Sequence, residues 1–99
     1  MPTLHLYLTD GFSSDRVTIE VDGRTVFDED GVSTRKLYGL AKDVGAIEVA
    51  SDKTRVAVRL PRRGVEAVFE VDLTQGSHVP ISVENGEIRH AVLRQVGFM

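Results

Sequence analysis

Three histidines, His5, His78 and His90, head the residues whose types could do chemistry, because imidazole is the commonest metal ligand and titrates near neutral pH. Their spacing argues against a metal centre. None forms a His-x-His or His-x-x-x-His pair, and His90 falls on the apolar side of its run, where a half-buried, hydrogen-bonded ring is the plainer reading. The run Asp28-Glu29-Asp30 before Gly31 is the chain's calcium candidate, with Asp10, Asp15 and Asp43 as acids that could join it if loops cluster. An EF-hand loop needs a longer series of oxygen ligands closed by a bidentate acid, and this stretch lacks it. A solvated acidic turn competes with the calcium reading. Arg62 and Arg63, with Lys53, Arg55 and Arg59 nearby, form a basic patch that could receive phosphate, an acidic polymer or a partner's carboxylates. Arg55 and Arg59 are expected to pair with Glu70 and Glu66, which leaves the patch small.

For nucleophilic catalysis the chain offers no cysteine, no Gly-x-Ser-x-Gly and no serine placed near a histidine and an acid. It has no Gly-x-Gly-x-x-Gly or Gly-Lys-Ser/Thr loop to cradle phosphates. The expectation is a protein that is not an enzyme and carries no cofactor. The residual catalytic alternative is a small hydrolase or lyase using His90 with Glu84 or Glu87. Tyr7, Phe12, Tyr38 and Phe98 are the aromatics not plainly assigned to a core, and exposed rings of this kind can stack on sugars. With no tryptophan and two tyrosines the carbohydrate reading is thin.

These residues must be positioned by a scaffold that the composition defines better than it defines a function. The length of 99 residues fits one domain over 1–99. Twelve basic against fifteen acidic side chains give a net charge of −3, which disfavours nucleic-acid binding. The absence of cysteine leans towards a reducing compartment. Met1-Pro2-Thr3-Leu4-His5 has neither the basic flank nor the apolar run of a leader, and no segment approaches membrane-spanning length, so the chain reads as cytoplasmic without membrane contact.

Fifteen residues are valine, many of them at every second position in short runs separated by turn dipeptides. This spacing predicts antiparallel strands. Thr3 to Thr9 alternates Leu4, Leu6 and Leu8 with His5 and Tyr7. Val17, Ile19 and Val21 lead into Asp22-Gly23, a type I′ turn signal that sets Ile19 opposite Val26. Glu29 to Gly45 is expected to be a loop with a turn at Asp30-Gly31 and at most one helical turn, with alternatives of a strand over Ser33 to Leu37 or a helix capped by Thr34 and running through Lys42, and Ala46 to Ala50 to be a strand. Around Pro61 to Gly64, two signals agree on one register. Leu60 faces Val65, Val58 faces Ala67 and Val56 faces Phe69 on one side, while Arg59 faces Glu66 and Arg55 faces Glu70 on the other. Across Asn85-Gly86, Val83 faces Ile88, Ile81 faces His90 and Val79 faces Val92.

Seven or eight such strands predict an all-β fold, an antiparallel two-sheet sandwich. The runs from Val17 to Phe27, from Val32 to Thr34, from Val58 to Pro61 and from Ile81 to Ile88 resemble small bacterial immunoglobulin-like or transthyretin-like β-sandwich proteins. The resemblance implies an accessory or binding module with no catalytic residues. The function expected is protein–protein contact, including self-association as a homodimer, through an edge strand or sheet face. Arg62, Arg63, Val68 and Tyr38 are its candidate surface; the contact face is either Arg16, Thr18, Glu20 and Thr25 on the outer side of the first hairpin or Glu66, Val68 and Glu70 on another, Val68 being apolar on an otherwise charged face. The alternative is a calcium- or carbohydrate-binding module acting through loops at one end of the sandwich.

Overall fold

A computed structural model describes residues 2–34 and 42–94, apart from the side chains of Lys42 and Asp43. Among the described residues the alternating runs become eight strands: β1 (Thr3–Leu8), β2 (Asp15–Val21), β3 (Arg24–Val32), β4 (Lys42–Glu48), β5 (Lys53–Leu60), β6 (Val65–Asp72), β7 (His78–Glu84) and β8 (Glu87–His90). They form two four-stranded sheets, ordered β4-β1-β7-β8 and β3-β2-β5-β6, packed face to face. Leu4, Leu6 and Leu8 from one sheet meet Val17, Ile19, Val21, Val56, Val58 and Leu60 from the other, all fully buried. Each such aliphatic side chain stabilises the fold by about 1.5–3 kcal/mol relative to exposure, which is why the alternation fixes the faces.

The hairpins follow their turn chemistry. Asp22-Gly23 and Asn85-Gly86 both take positive φ at their two central positions, as a type I′ turn requires. The β5–β6 pairing has every contact expected of it, from Leu60 opposite Val65 to Arg55 opposite Glu70, and β7–β8 sets Val83 opposite Ile88 and Ile81 opposite His90. Among the described residues five of the six strand pairings are antiparallel; β1 and β7 run parallel, with His5 beside His78.

Three bulges interrupt the regular ladders, and the first changes an expected register. Ile19 faces Phe27 rather than Val26, because a bulge after Thr25 adds one residue to β3 and turns the larger Phe27 side chain into the core. A second shift sets Val17 opposite Glu29 but Asp15 opposite Val32, and Gly31, with φ of 71°, supplies the left-handed conformation there. Asp30-Gly31 thus bends β3 instead of ending it. A third bulge lies in β4, where Leu6 faces Gly45 but Tyr7 faces Asp43. The expected loop from Glu29 to Gly45 is accordingly strand at both ends, Ser33 and Thr34 lie outside any strand, and 35–41 fall outside the described residues. The strand expected at Ala46 to Ala50 begins earlier, at Lys42, and ends at Glu48.

Candidate interaction surface

The four edge strands differ in how well they are protected from further pairing. β3 and β4 carry the bulges, and β8 is only four residues long. β6 runs eight residues in unbroken register with β5, and no strand among the described residues lies on its other side. Its outward backbone groups can be assigned from the ladder. The Leu73 N–H donates to Asp52 O at 2.7 Å, so the pairs alternating from there, Val71 with Thr54, Phe69 with Val56 and Ala67 with Val58, are the hydrogen-bonded ones. The N–H of Asp22 donates to Arg55 O at 2.9 Å, which confirms that Arg55, Ala57 and Arg59 direct their backbone groups towards β2. Glu66, Val68 and Glu70 therefore point their N–H and C=O groups away from the sheet.

The same three residues turn their side chains to the outer face. Val68 is 52% exposed and borders a shallow depression floored by Ala57 and rimmed by Glu20, Asp22, Arg55 and Arg59. Arg59 holds Glu66 through Nε at 2.6 Å and Glu20 through Nη1 at 2.7 Å, and these carboxylates raise its pKa above the ordinary arginine value. Arg55 faces Glu70 in register, yet among the described residues it has no ion pair, so the second of the two expected cross-strand bridges does not close. Asp22, at the neighbouring turn, accepts from the Arg55 N–H at 2.9 Å and from Thr54 Oγ1 at 2.8 Å; these bonds stabilise the carboxylate and lower its pKa. Asp72, at the end of β6, is lowered likewise by bonds from the Thr74 hydroxyl and N–H.

The basic patch expected at the β5–β6 tip is not free. Arg62 pairs with Asp30 at 2.5 Å. Arg63 grips Asp15 with Nε at 2.8 Å and Nη2 at 2.7 Å, and Nη2 also reaches Gly11 O at 3.1 Å. Asp15 is buried and accepts a further bond from the Ser13 N–H at 2.8 Å. Arg63 is thus a clamp between the hairpin tip and the β1–β2 connection, and a ligand could claim it only by uncovering that carboxylate. Tyr38, the remaining candidate of the interaction surface, lies outside the described residues.

The calcium candidates do not converge. Asp28, Glu29 and Asp30 alternate along β3; Asp28 is paired with Arg16 at 3.1 Å and Asp30 with Arg62, while Glu29 has a partner of its own. Alternation sends neighbouring side chains to opposite faces, so a run that looks dense in sequence is split in space. Among the described residues no group of three or more His, Asp or Glu side chains could hold a metal ion.

Two histidines distant in sequence do meet. The parallel pairing sets His5 beside His78 on the outer face of the first sheet, with ring centroids 5.5 Å apart, and the Tyr7 hydroxyl lies 2.9 Å from His78 Nδ1. Tyr7 stacks on His5 at 4.4 Å and is only 8% exposed. Phe12 belongs to the core. Two of the four aromatics considered for sugar stacking are therefore buried, and Tyr38 and Phe98 lie outside the described residues. His90 lies on the core side of β8 but stays exposed at the edge between β8 and β6, where its ring stacks on Phe69 with centroids 3.7 Å apart; this partial removal from water lowers its pKa. Glu84 and Glu87 oppose each other beyond it, and neither hydrogen-bonds the ring, so the acid–base pairing considered for His90 does not form among the described residues. Comparison with protein families, curated proteins and solved structures found no match to this chain.

Proposed function

We propose that the chain is a non-catalytic, protein-binding β-sandwich that engages its partner by sheet extension along β6. What carries the reading is the contrast among the edges: three are bulged or short, and the fourth presents eight regular residues with the outward backbone groups of Glu66, Val68 and Glu70 unpaired among the described residues. Unpaired donors and acceptors at a straight edge accept an added strand without loss of any bond inside the fold. Exposed Val68 adds an apolar contact at the centre of that row. The immunoglobulin-like or transthyretin-like character of the sandwich belongs to the same proposal, resting on its eight short strands and their tight turns.

A photo-crosslinking amino acid at position 68, compared with one at position 87 on β8, tests this in the cells that make the protein. A discrete adduct from position 68, to another protein or to a second copy, is the expected result. No adduct from position 68 overturns the reading.

A further inference from the structure

We infer that the segment taken up by β6 comes from a different chain and carries basic, apolar and basic residues at alternate positions of one face. This rests on the reading of β6 as the binding edge, and it adds the identity of the occupant. Facing the added strand, in order, are Glu66, Val68 and Glu70 on the outer side of the sheet. Glu70 closes no ion pair among the described residues, although Arg55 stands opposite it on β5, and Arg59 occupies one oxygen of Glu66, leaving the other open among the described residues. Directly opposed residues on adjacent strands are close enough for opposite charges to attract and like charges to repel. A partner with lysine or arginine opposite both glutamates and a valine-like residue opposite Val68 satisfies all three positions at once.

A second copy fits worse. With a two-fold axis through Val68, Glu66 stands opposite Glu70 of the second copy, and Glu70 opposite Glu66 of the second copy. Moving the axis by one residue towards Asp72 opposes Glu66 to Asp72 of the second copy. Moving it the other way removes the repulsion but sets Glu66 against Val68 of the second copy, so that charge and apolar surface are both mismatched. The carboxylates thus act against self-pairing while leaving the edge open to a cationic strand, the use of charge that natural edges make.

Two synthetic peptides test this, Ac-Ser-Lys-Thr-Val-Thr-Lys-Ser-NH2 and the same sequence with glutamate for both lysines. Each has a palindromic core, so both strand directions are sampled. Amide NMR titration of the whole chain at low salt reads the result. Shifts centred on Glu66, Val68 and Glu70, with at least tenfold tighter binding of the lysine peptide and a loss of that preference in Glu70→Lys, are expected. Val68→Pro, which removes an outward N–H and no internal bond, is expected to abolish binding while the spectrum stays folded. Equal binding of both peptides, with loss in Val68→Pro, rejects the basic partner but keeps the edge as the binding site. No binding of either peptide, binding that survives Val68→Pro, or a β6-dependent dimer in sedimentation equilibrium rejects the inference, and the crosslinking at position 68 then decides separately whether the edge binds at all.

Discussion

Replacing Arg63 with alanine should be among the most damaging changes possible outside the apolar core. Arg63 gives Asp15 two short bonds, at 2.7 and 2.8 Å, and a carboxylate only 5% exposed is left after the change with, among the described residues, the Ser13 N–H alone. Breaking a buried pair by removing one partner typically costs about 3–5 kcal/mol, because the other charge stays desolvated. Arg63 itself is 30% exposed, so water can enter the vacated volume and the expected cost falls to about 2–3 kcal/mol. In a domain of this size that lowers Tm by roughly 8–24 °C, at about 4–8 °C per kcal/mol. Asp15→Ala should cost less, about 1–2 kcal/mol, since the freed guanidinium keeps Gly11 O and can turn towards solvent. The double variant should then be more stable than the sum of the two losses implies, with a coupling of about 1–2 kcal/mol. Urea unfolding of the four proteins measures all of these values. Additive losses, or Arg63→Ala within about 0.5 kcal/mol of the parent, would refute the clamp.

Three further outcomes follow from particular contacts. Gly11 holds φ of 89° and a Cβ there would drive into the Val83 carbonyl, so Gly11→Ala should cost more than about 2 kcal/mol in thermal unfolding, whereas Gly31→Ala, with open space around it, should cost only the left-handed backbone term of about 1–2 kcal/mol. Val68→Pro should leave stability nearly unchanged, while Ala67→Pro, which removes a bond to β5, should cost about 3 kcal/mol or more by the same assay. For pH, the folded chain holds His90 below its ordinary 6.5, so the unfolded chain takes the proton first; stability is complete above that value and declines as pH falls from it towards the folded pKa. Asp22 and Asp72, lowered from 3.8, add stability above that value that is lost as pH falls through their folded pKa values. A pH series of unfolding should show the upper decline vanish in His90→Leu and the lower one persist.

Local chemistry in the sequence made the hairpins readable. The β5–β6 register was specified twice, by Val56, Val58 and Leu60 on one face and by Arg59 against Glu66 on the other, and slipping by one residue would have violated both. What escaped was either a one-residue insertion or a long-range neighbour. Strict period-two counting cannot see that Thr25 and Phe27 flank a bulge, or that Gly31 bends a strand at an Asp-Gly pair whose chemistry is that of a turn. Arg63 and Asp15 lie 48 residues apart and His5 and His78 are joined by a parallel crossover, so nothing nearby in sequence announces either pairing. Val68 was visible as an apolar residue on a charged face, but its value as an edge residue depended on strand order. The straightness of β6 did have a sequence signal, since Val65 to Asp72 contains neither glycine nor proline, in contrast to β3 and β4.

Residue-resolved hydrogen exchange along β6 tests the central claim most directly. In the isolated chain the amides of Glu66, Val68 and Glu70 should exchange rapidly and those of Ala67, Phe69 and Val71 slowly, and partner binding should protect the first set. Uniform protection of β6 in the isolated chain, or a bound state in which Glu66, Val68 and Glu70 still exchange freely, would contradict the account.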